Sequence, residues 1–159
     1  MGTVTVFVLG ERERGDDGVG FAIAESLRPD VRDAVDIHDS GQLMPDALLD
    51  VEGPIIVIDA VDGPPVGQLV DVDLASLIDR GHAWRTASSH AVSVEMTLAI
   101  AAHLRGQVPR GRFIGVAGCA FEMGEEVSAH VRAAIPVAAA RIATWVRTFE
   151  ANGRTRRCA

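Results

Sequence analysis

Apolar positions along this chain follow two periods in turn, one suited to strands and one to helices. Val4-Thr5-Val6-Phe7-Val8-Leu9-Gly10 is an apolar, β-branched run of strand length that ends at a glycine. A charged turn follows, Glu11-Arg12-Glu13-Arg14-Gly15, and the pair Asp16-Asp17 then opens an amphipathic helix. Its apolar positions are Val19, Phe21, Ala22, Ile23 and Leu27, and it stops before Pro29. Residues 34–38 predict a second strand, 39–41 a turn and 44–50 a helix. Ile55-Ile56-Val57-Ile58 is the continuous apolar pattern of a strand buried on both faces, ending at Asp59. After a turn at Asp62-Gly63-Pro64-Pro65, residues 68–72 read as an edge strand, hairpin-like with a neighbour. Residues 74–79 read as a short helix and 81–89 as a polar loop. Helical spacing returns over 90–104, where Val94, Leu98, Ile100, Ala101 and Leu104 are the apolar positions. A last buried strand spans 112–118 and a loop 122–126. A long helix then runs from Val127 to about Glu150, bent or restarted by Pro136.

Strands alternating with helices predict an α/β fold, a three-layer α/β/α sandwich. At 159 residues the chain forms one domain, over residues 1–150. Residues 151–159, with Arg154, Arg156 and Arg157, are expected to be a disordered basic tail. The net charge of −7 repels a phosphate backbone, so no nucleic-acid partner is expected. No apolar run is long enough to span a bilayer, and the first lacks the basic lead-in of a signal peptide. Cys119, in a segment expected to be buried, and Cys158 in the tail read as reduced thiols, consistent with a cytoplasmic location.

In an open α/β sheet, ligands bind beyond the carboxyl ends of the parallel strands. The turn after the first strand is no phosphate loop: its glycines miss the G-x-G-x-x-G spacing, and Asp16 and Asp17 occupy the place of an anion. Asp17 after the first strand, Asp59 at the end of the third and His90 at a helix start, where Ser88 or Ser89 would cap, converge on one crevice. The helix dipole favours a neutral imidazole at His90, the form that binds metal. Two carboxylates and an imidazole suit a divalent ion such as nickel or zinc. Each residue also has a plainer reading: the aspartates as caps and His90 as a hydrogen-bonded histidine. His38 ends the second strand near the same crevice, while His82, His103 and His130 read as solvated. Glu122, Glu125 and Glu126 cap the last helix, in competition with Ser128, or rim the site. Trp84 is a candidate partner contact, Trp145 a packing residue, and Met44 and Met96 call for no role beyond packing.

These motifs resemble the hydrogenase maturation endopeptidases over nearly the whole chain to about residue 150. The residues that carry the likeness are Gly10, then Asp16-Asp17-Gly18-Val19-Gly20, then Ile58-Asp59-Ala60, then Ser89-His90, and the stretch from Phe121-Glu122-Met123-Gly124 to Ala134-Ile135-Pro136. The family's glycine–asparagine turn is Val8-Leu9-Gly10-Glu11 here, without the first glycine and the asparagine. The resemblance implies a mixed, mostly parallel five-stranded sheet with helices on both faces. It also implies an endopeptidase that removes the C-terminal extension of a nickel–iron hydrogenase large-subunit precursor after nickel insertion. By match, Asp17, Asp59 and His90 would contact that nickel, which the substrate supplies, so no resident organic cofactor is implied. Asp16, Asp17 and Asp59 are the candidate catalytic carboxylates, with a water activated by the metal or by Asp16. The expected partner is the precursor, and the protein is expected to act as a monomer. Two other readings stay open: a hydrolase of a small substrate with a resident divalent ion, and a diverged module that binds nickel or the large subunit without cutting.

Overall fold

The computed structural model describes residues 2–79, 84–87 and 92–157. Four strands form the parallel centre: β1 (Val4–Leu9), β2 (Val35–Gly41), β3 (Ile55–Asp62) and β6 (Gly111–Ala117). The order across the sheet is β2-β1-β3-β6-β4, with β4 (Leu69–Asp73) antiparallel to β6 at the edge. The expected five strands are all present. A sixth, β5 (Arg85–Thr86), pairs antiparallel with the end of β3 inside the stretch expected to be a loop.

Strand alternation divides the core into two faces. Val6, Val8, Ile56, Ile58, Ala60, Ile114 and Val116 pack against α1 (Val19–Glu25) and α5 (Ala129–Arg157). Phe7, Leu9, Ile55, Val57, Val61 and Phe113 pack against α3 (Leu74–Asp79) and α4 (Val94–Arg105). This is the three-layer arrangement that the hydrophobic periods predict. Among the described residues, no helix is long and apolar enough to cross a membrane.

Several elements differ from the sequence expectation. Pro29 ends one helix but also begins another, α2 (Pro29–Arg32), because a proline fits the first helical position, where no N–H is needed. β2 runs on through residues 39–41, since Asp39 and Gly41 keep pairing with Val8 and Leu9 of β1 across a register shift. Of the helix expected at 44–50, only a 3-10 turn at Asp46–Leu48 forms. α4 starts at Val94 rather than His90, capped by Ser93, whose hydroxyl accepts from Met96 N at 3.2 Å. α5 passes Pro136 without ending and continues to Arg157, beyond Glu150. Pro136 lies on the exposed side, where solvent can take the carbonyl it leaves without a donor.

Asp71 fixes α5 to the sheet edge. Its carboxylate accepts from Arg112 Nε at 2.9 Å, Arg141 at 2.6 Å and Trp145 Nε1 at 3.1 Å. Burial alone would raise its pKa, but these donors outweigh that and hold it below the usual carboxylate value. The clamp matters for function because the other end of α5 holds part of the candidate site.

Candidate functional site

β1 is flanked by β2 on one side and β3 on the other, so the chain leaves β1 in one direction and returns in the other. Such a switch point opens a crevice at the carboxyl ends of the strands. β1 pairs with β3 only as far as Val8 with Ile58. The next residue of β3, Asp59, is therefore freed from β1 while it still pairs with Gly115 of β6. β3 does not end at Asp59, as the sequence suggests; it continues to Asp62 because β6 and then β5 extend its ladder.

Asp17 enters from the β1 side on a 3-10 turn, Gly15–Gly18, that leads into α1. Its Oδ2 accepts from Glu11 N at 3.0 Å and lies 3.9 Å from an Arg14 nitrogen. Gly10 makes this approach possible. Its φ is +99°, and a Cβ there would fall 2.1 Å from the Asp17 carbonyl oxygen. Gly10→Ala is accordingly expected to displace the Asp17 turn and destabilise the fold by about 2 kcal/mol or more, measurable by denaturant titration. Glu11, which stands where the resemblance would put an asparagine, contributes its backbone N–H to Asp17 while its side chain is exposed.

Asp59 is wholly buried. Its Oδ1 accepts from Ala60 N at 2.8 Å, whereas Oδ2 has no hydrogen-bond partner among the described residues. Burial, then the negative charge of Asp17, pushes its pKa well above the usual carboxylate value. The single Ala60 N–H opposes that shift, and Glu95 adds to it. A buried carboxylate oxygen with no donor, beside a second buried carboxylate, is a place where a cation would be strongly favoured. His90 lies outside the described residues, as do Ser88 and Ser89. Among the described residues no group of three or more metal-ligating side chains comes together.

Asp16 does not belong to this pair in chemistry. Its Oδ2 accepts from Cys119 N at 2.8 Å, Ala120 N at 3.0 Å and the Ser128 hydroxyl at 3.0 Å, and its Oδ1 from Ser128 N at 2.7 Å. Burial would raise its pKa, but the N–H groups of Cys119, Ser128 and Ala120 and the Ser128 hydroxyl outweigh that and hold it down. A carboxylate so saturated and so weakly basic is a poor proton acceptor. Its hydrogen bonds join the turn that carries Asp17 to the β6–α5 connection. Asp16 N donates to Ala120 O at 2.6 Å, and Gly15 N to Glu125 O at 3.2 Å, across the same seam.

Other candidates settle elsewhere. His38 is exposed, 2.9 Å from Asp36 and tilted against Phe7. His103 and His130 are exposed, as expected; His82 and Cys158 lie outside the described residues. Cys119 is exposed rather than buried, since β6 ends at Ala117. Trp84 stacks on Phe113, with centroids 5.3 Å apart, so its ring packs against the core. Trp145 packs beside Phe149 as expected. Ser128, not the nearby glutamates, stands at the start of α5: its carbonyl accepts from Arg132 N while its hydroxyl goes to Asp16. Met44 and Met96 are exposed, not packed. Two residues that sequence reasoning passed over matter here. Glu95 acts on Asp59 through its charge, and an acid two places after the capping Ser93 marks the helix start on which it sits. Arg14 reaches both Asp17 and the Phe121 carbonyl, at 2.7 Å for the latter, with no motif to announce it.

No protein-family model matches the sequence, and no curated protein does. Solved structures do match. Maturation endopeptidase HybD of Escherichia coli superposes with a TM-score of 0.72 at 20% identity, covering 92% of this chain and 93% of that one. The NiFe hydrogenase maturation protease HybD of Thermococcus kodakarensis gives 0.70 at 20%, covering 91% and 99%. A hydrogenase 2 maturation peptidase from a Thaumarchaeota archaeon gives 0.58 at 24%, covering 89% and 95%. The chain has the fold of the hydrogenase maturation proteases.

Proposed function

We propose that this protein is an endopeptidase that removes the C-terminal extension of a nickel–iron hydrogenase large-subunit precursor once nickel is in place. The observation that carries the reading is the Asp59 carboxylate, buried with one oxygen lacking a donor among the described residues, beside Asp17 at the switch point. Such a pair is costly without a cation and favourable with one. The substrate's nickel is that cation, held by Asp17 and Asp59 and, from its place in the sequence, by His90. The likeness of fold to proteases whose names specify hydrogenase maturation supports the choice of substrate.

The protein's part in the reaction is to hold the substrate. Asp17 and Asp59 bind the nickel and so bring the adjoining peptide bond to the crevice. Loss of the Asp59 proton on ion binding is favoured, because the positive charge of the ion outweighs the like charge of Asp17. Asp16 keeps the Asp17 turn in place and takes no proton. The attacking water is activated by the metal or by one of the two carboxylates at the crevice.

The test is mass spectrometry of the precursor, nickel-loaded and nickel-free, after incubation with the protein. Loss of the extension from the nickel-loaded form alone is expected. Equal processing of both forms would remove nickel recognition from the account, and processing of neither would remove the protease reading.

A further inference from the structure

Beside the Asp17 turn lies a pocket of about 300 Å³ whose charged lining is two arginines, Arg14 and Arg85, and one aspartate, Asp62. Thr86 adds a hydroxyl, and Ala87 and Phe121 supply its apolar lining. Arg14 is held by the Phe121 carbonyl, to which its Nε donates at 2.7 Å, and one of its terminal nitrogens lies 3.9 Å from Asp17 Oδ2. Arg85 stands on β5 opposite Asp62 of β3, and Ala87 N extends the pairing by donating to Ala60 O at 2.9 Å. Facing Asp62 does not neutralise Arg85: among the described residues no carboxylate comes within ion-pair distance of it. A strand of two residues adds little to a sheet, so the clearest consequence of β5 is the placement of this guanidinium.

We infer that this pocket is a subsite for a carboxylate of the precursor, an aspartate or glutamate side chain in the segment that flanks the nickel. The inference rests on the proposed proteolytic function. The charge count selects the ligand: two guanidiniums against one carboxylate leave an excess of one positive charge, which a single carboxylate cancels. A phosphate monoester, with nearly two negative charges, exceeds it. The excess is local, in a chain whose net charge of −7 otherwise repels an acidic segment. An arginine fork takes a carboxylate through two parallel N–H bonds, while Ala87 and Phe121 accommodate its methylene stem. Position selects the source. Arg14 is shared between the pocket and Asp17, so a group bound here belongs to the same stretch of substrate that brings the metal to the crevice. The volume is at the low end for ligand sites, with room for one side chain rather than a separate metabolite.

The test is steady-state cleavage of nickel-loaded precursor by wild type, Arg85→Gln and Arg85→Glu, at low and at physiological salt. Arg32→Glu, at an exposed arginine on α2, controls for the change in net charge. Melting temperatures establish that all are folded, and Arg85→Gln sets no like charge opposite Asp62. Arg85→Gln is expected to raise KM about tenfold and Arg85→Glu further, with kcat within about twofold of wild type and R32E matching wild type. The salt dependence of KM should flatten in R85Q. When each Asp or Glu near the cut in the precursor is changed in turn to its amide, one change should reproduce the rise with wild type. That same change should add nothing with R85Q. An unchanged KM in both Arg85 variants, with wild type active, overturns the subsite and leaves the protease reading intact. A raised KM that no precursor substitution reproduces overturns the substrate carboxylate as its ligand. A wild type that cleaves nothing defeats the protease reading, and this inference with it.

Discussion

Asp59→Asn is expected to stabilise the protein at neutral pH and to cripple cleavage. The buried Asp59 carboxyl holds its proton to higher pH than it would in the unfolded chain, because of burial and the charge of Asp17. Above the usual carboxylate value near 4, the folded state therefore binds more protons than the unfolded state. Stability contributed by this group falls as pH rises from about 4 through the folded-state pKa. Asparagine keeps the shape, including an oxygen for the Ala60 N–H, and removes the titration. Thermal melts from pH 4 to 8 should show wild type losing stability toward high pH and D59N losing less, with D59N ahead by about 1–3 kcal/mol at pH 7. Cleavage should fall on the order of 10²–10³-fold, as when a preorganised electrostatic partner of the reaction is removed. A D59N protein that is less stable at pH 7 and has the wild-type pH slope would mean that Asp59 is a satisfied structural carboxylate.

Asp16→Ala has the opposite signature. Four hydrogen bonds converge on this buried carboxylate, three from backbone N–H groups that the substitution leaves without an acceptor. The loss should be about 3 kcal/mol or more, a fall of roughly 10 °C in melting temperature. Its pKa is depressed in the folded state, so the stability it contributes is complete above about pH 4 and is lost as pH falls through the folded value. The D16A deficit should therefore shrink in acid. Activity should fall too, because the turn carrying Asp17 is no longer tied to the β6–α5 connection. D16N separates this from a proton-transfer role: with one oxygen retained it should keep measurable cleavage with an unchanged pH–rate profile. Loss of the acidic limb of that profile in D16N would restore Asp16 as a base.

How far this was legible in the sequence depends on the range of the interactions. The strands at Val4–Leu9 and Gly111–Ala117 and the two-sided core follow from period and composition alone. So does the nearness of Asp17 to Asp59, because one follows β1 and the other comes just after the apolar run of β3 that pairs with β1. The partners of Asp16 were not legible, because they are 103 to 112 residues away along the chain. Two neighbouring aspartates look alike in sequence; one accepts four hydrogen bonds and the other is close enough to buried Asp59 for its charge to act there. β5 was missed because two residues carry no period. On α4 the pattern was visible but its sense was not. The stripe 94, 98, 101 and the stripe 96, 100, 104 have the same helical spacing, and only packing shows that the first is core and the second is surface.

The central claim is that the two crevice carboxylates and His90 take hold of the substrate's nickel. Nickel K-edge X-ray absorption on nickel-loaded precursor, alone and mixed with wild type or His90→Ala, tests it most directly. Complex formation with wild type is expected to add oxygen and nitrogen ligands to the nickel, and the nitrogen contribution to be missing with H90A. A nickel spectrum unchanged by the wild-type protein under conditions where the two proteins bind would contradict it.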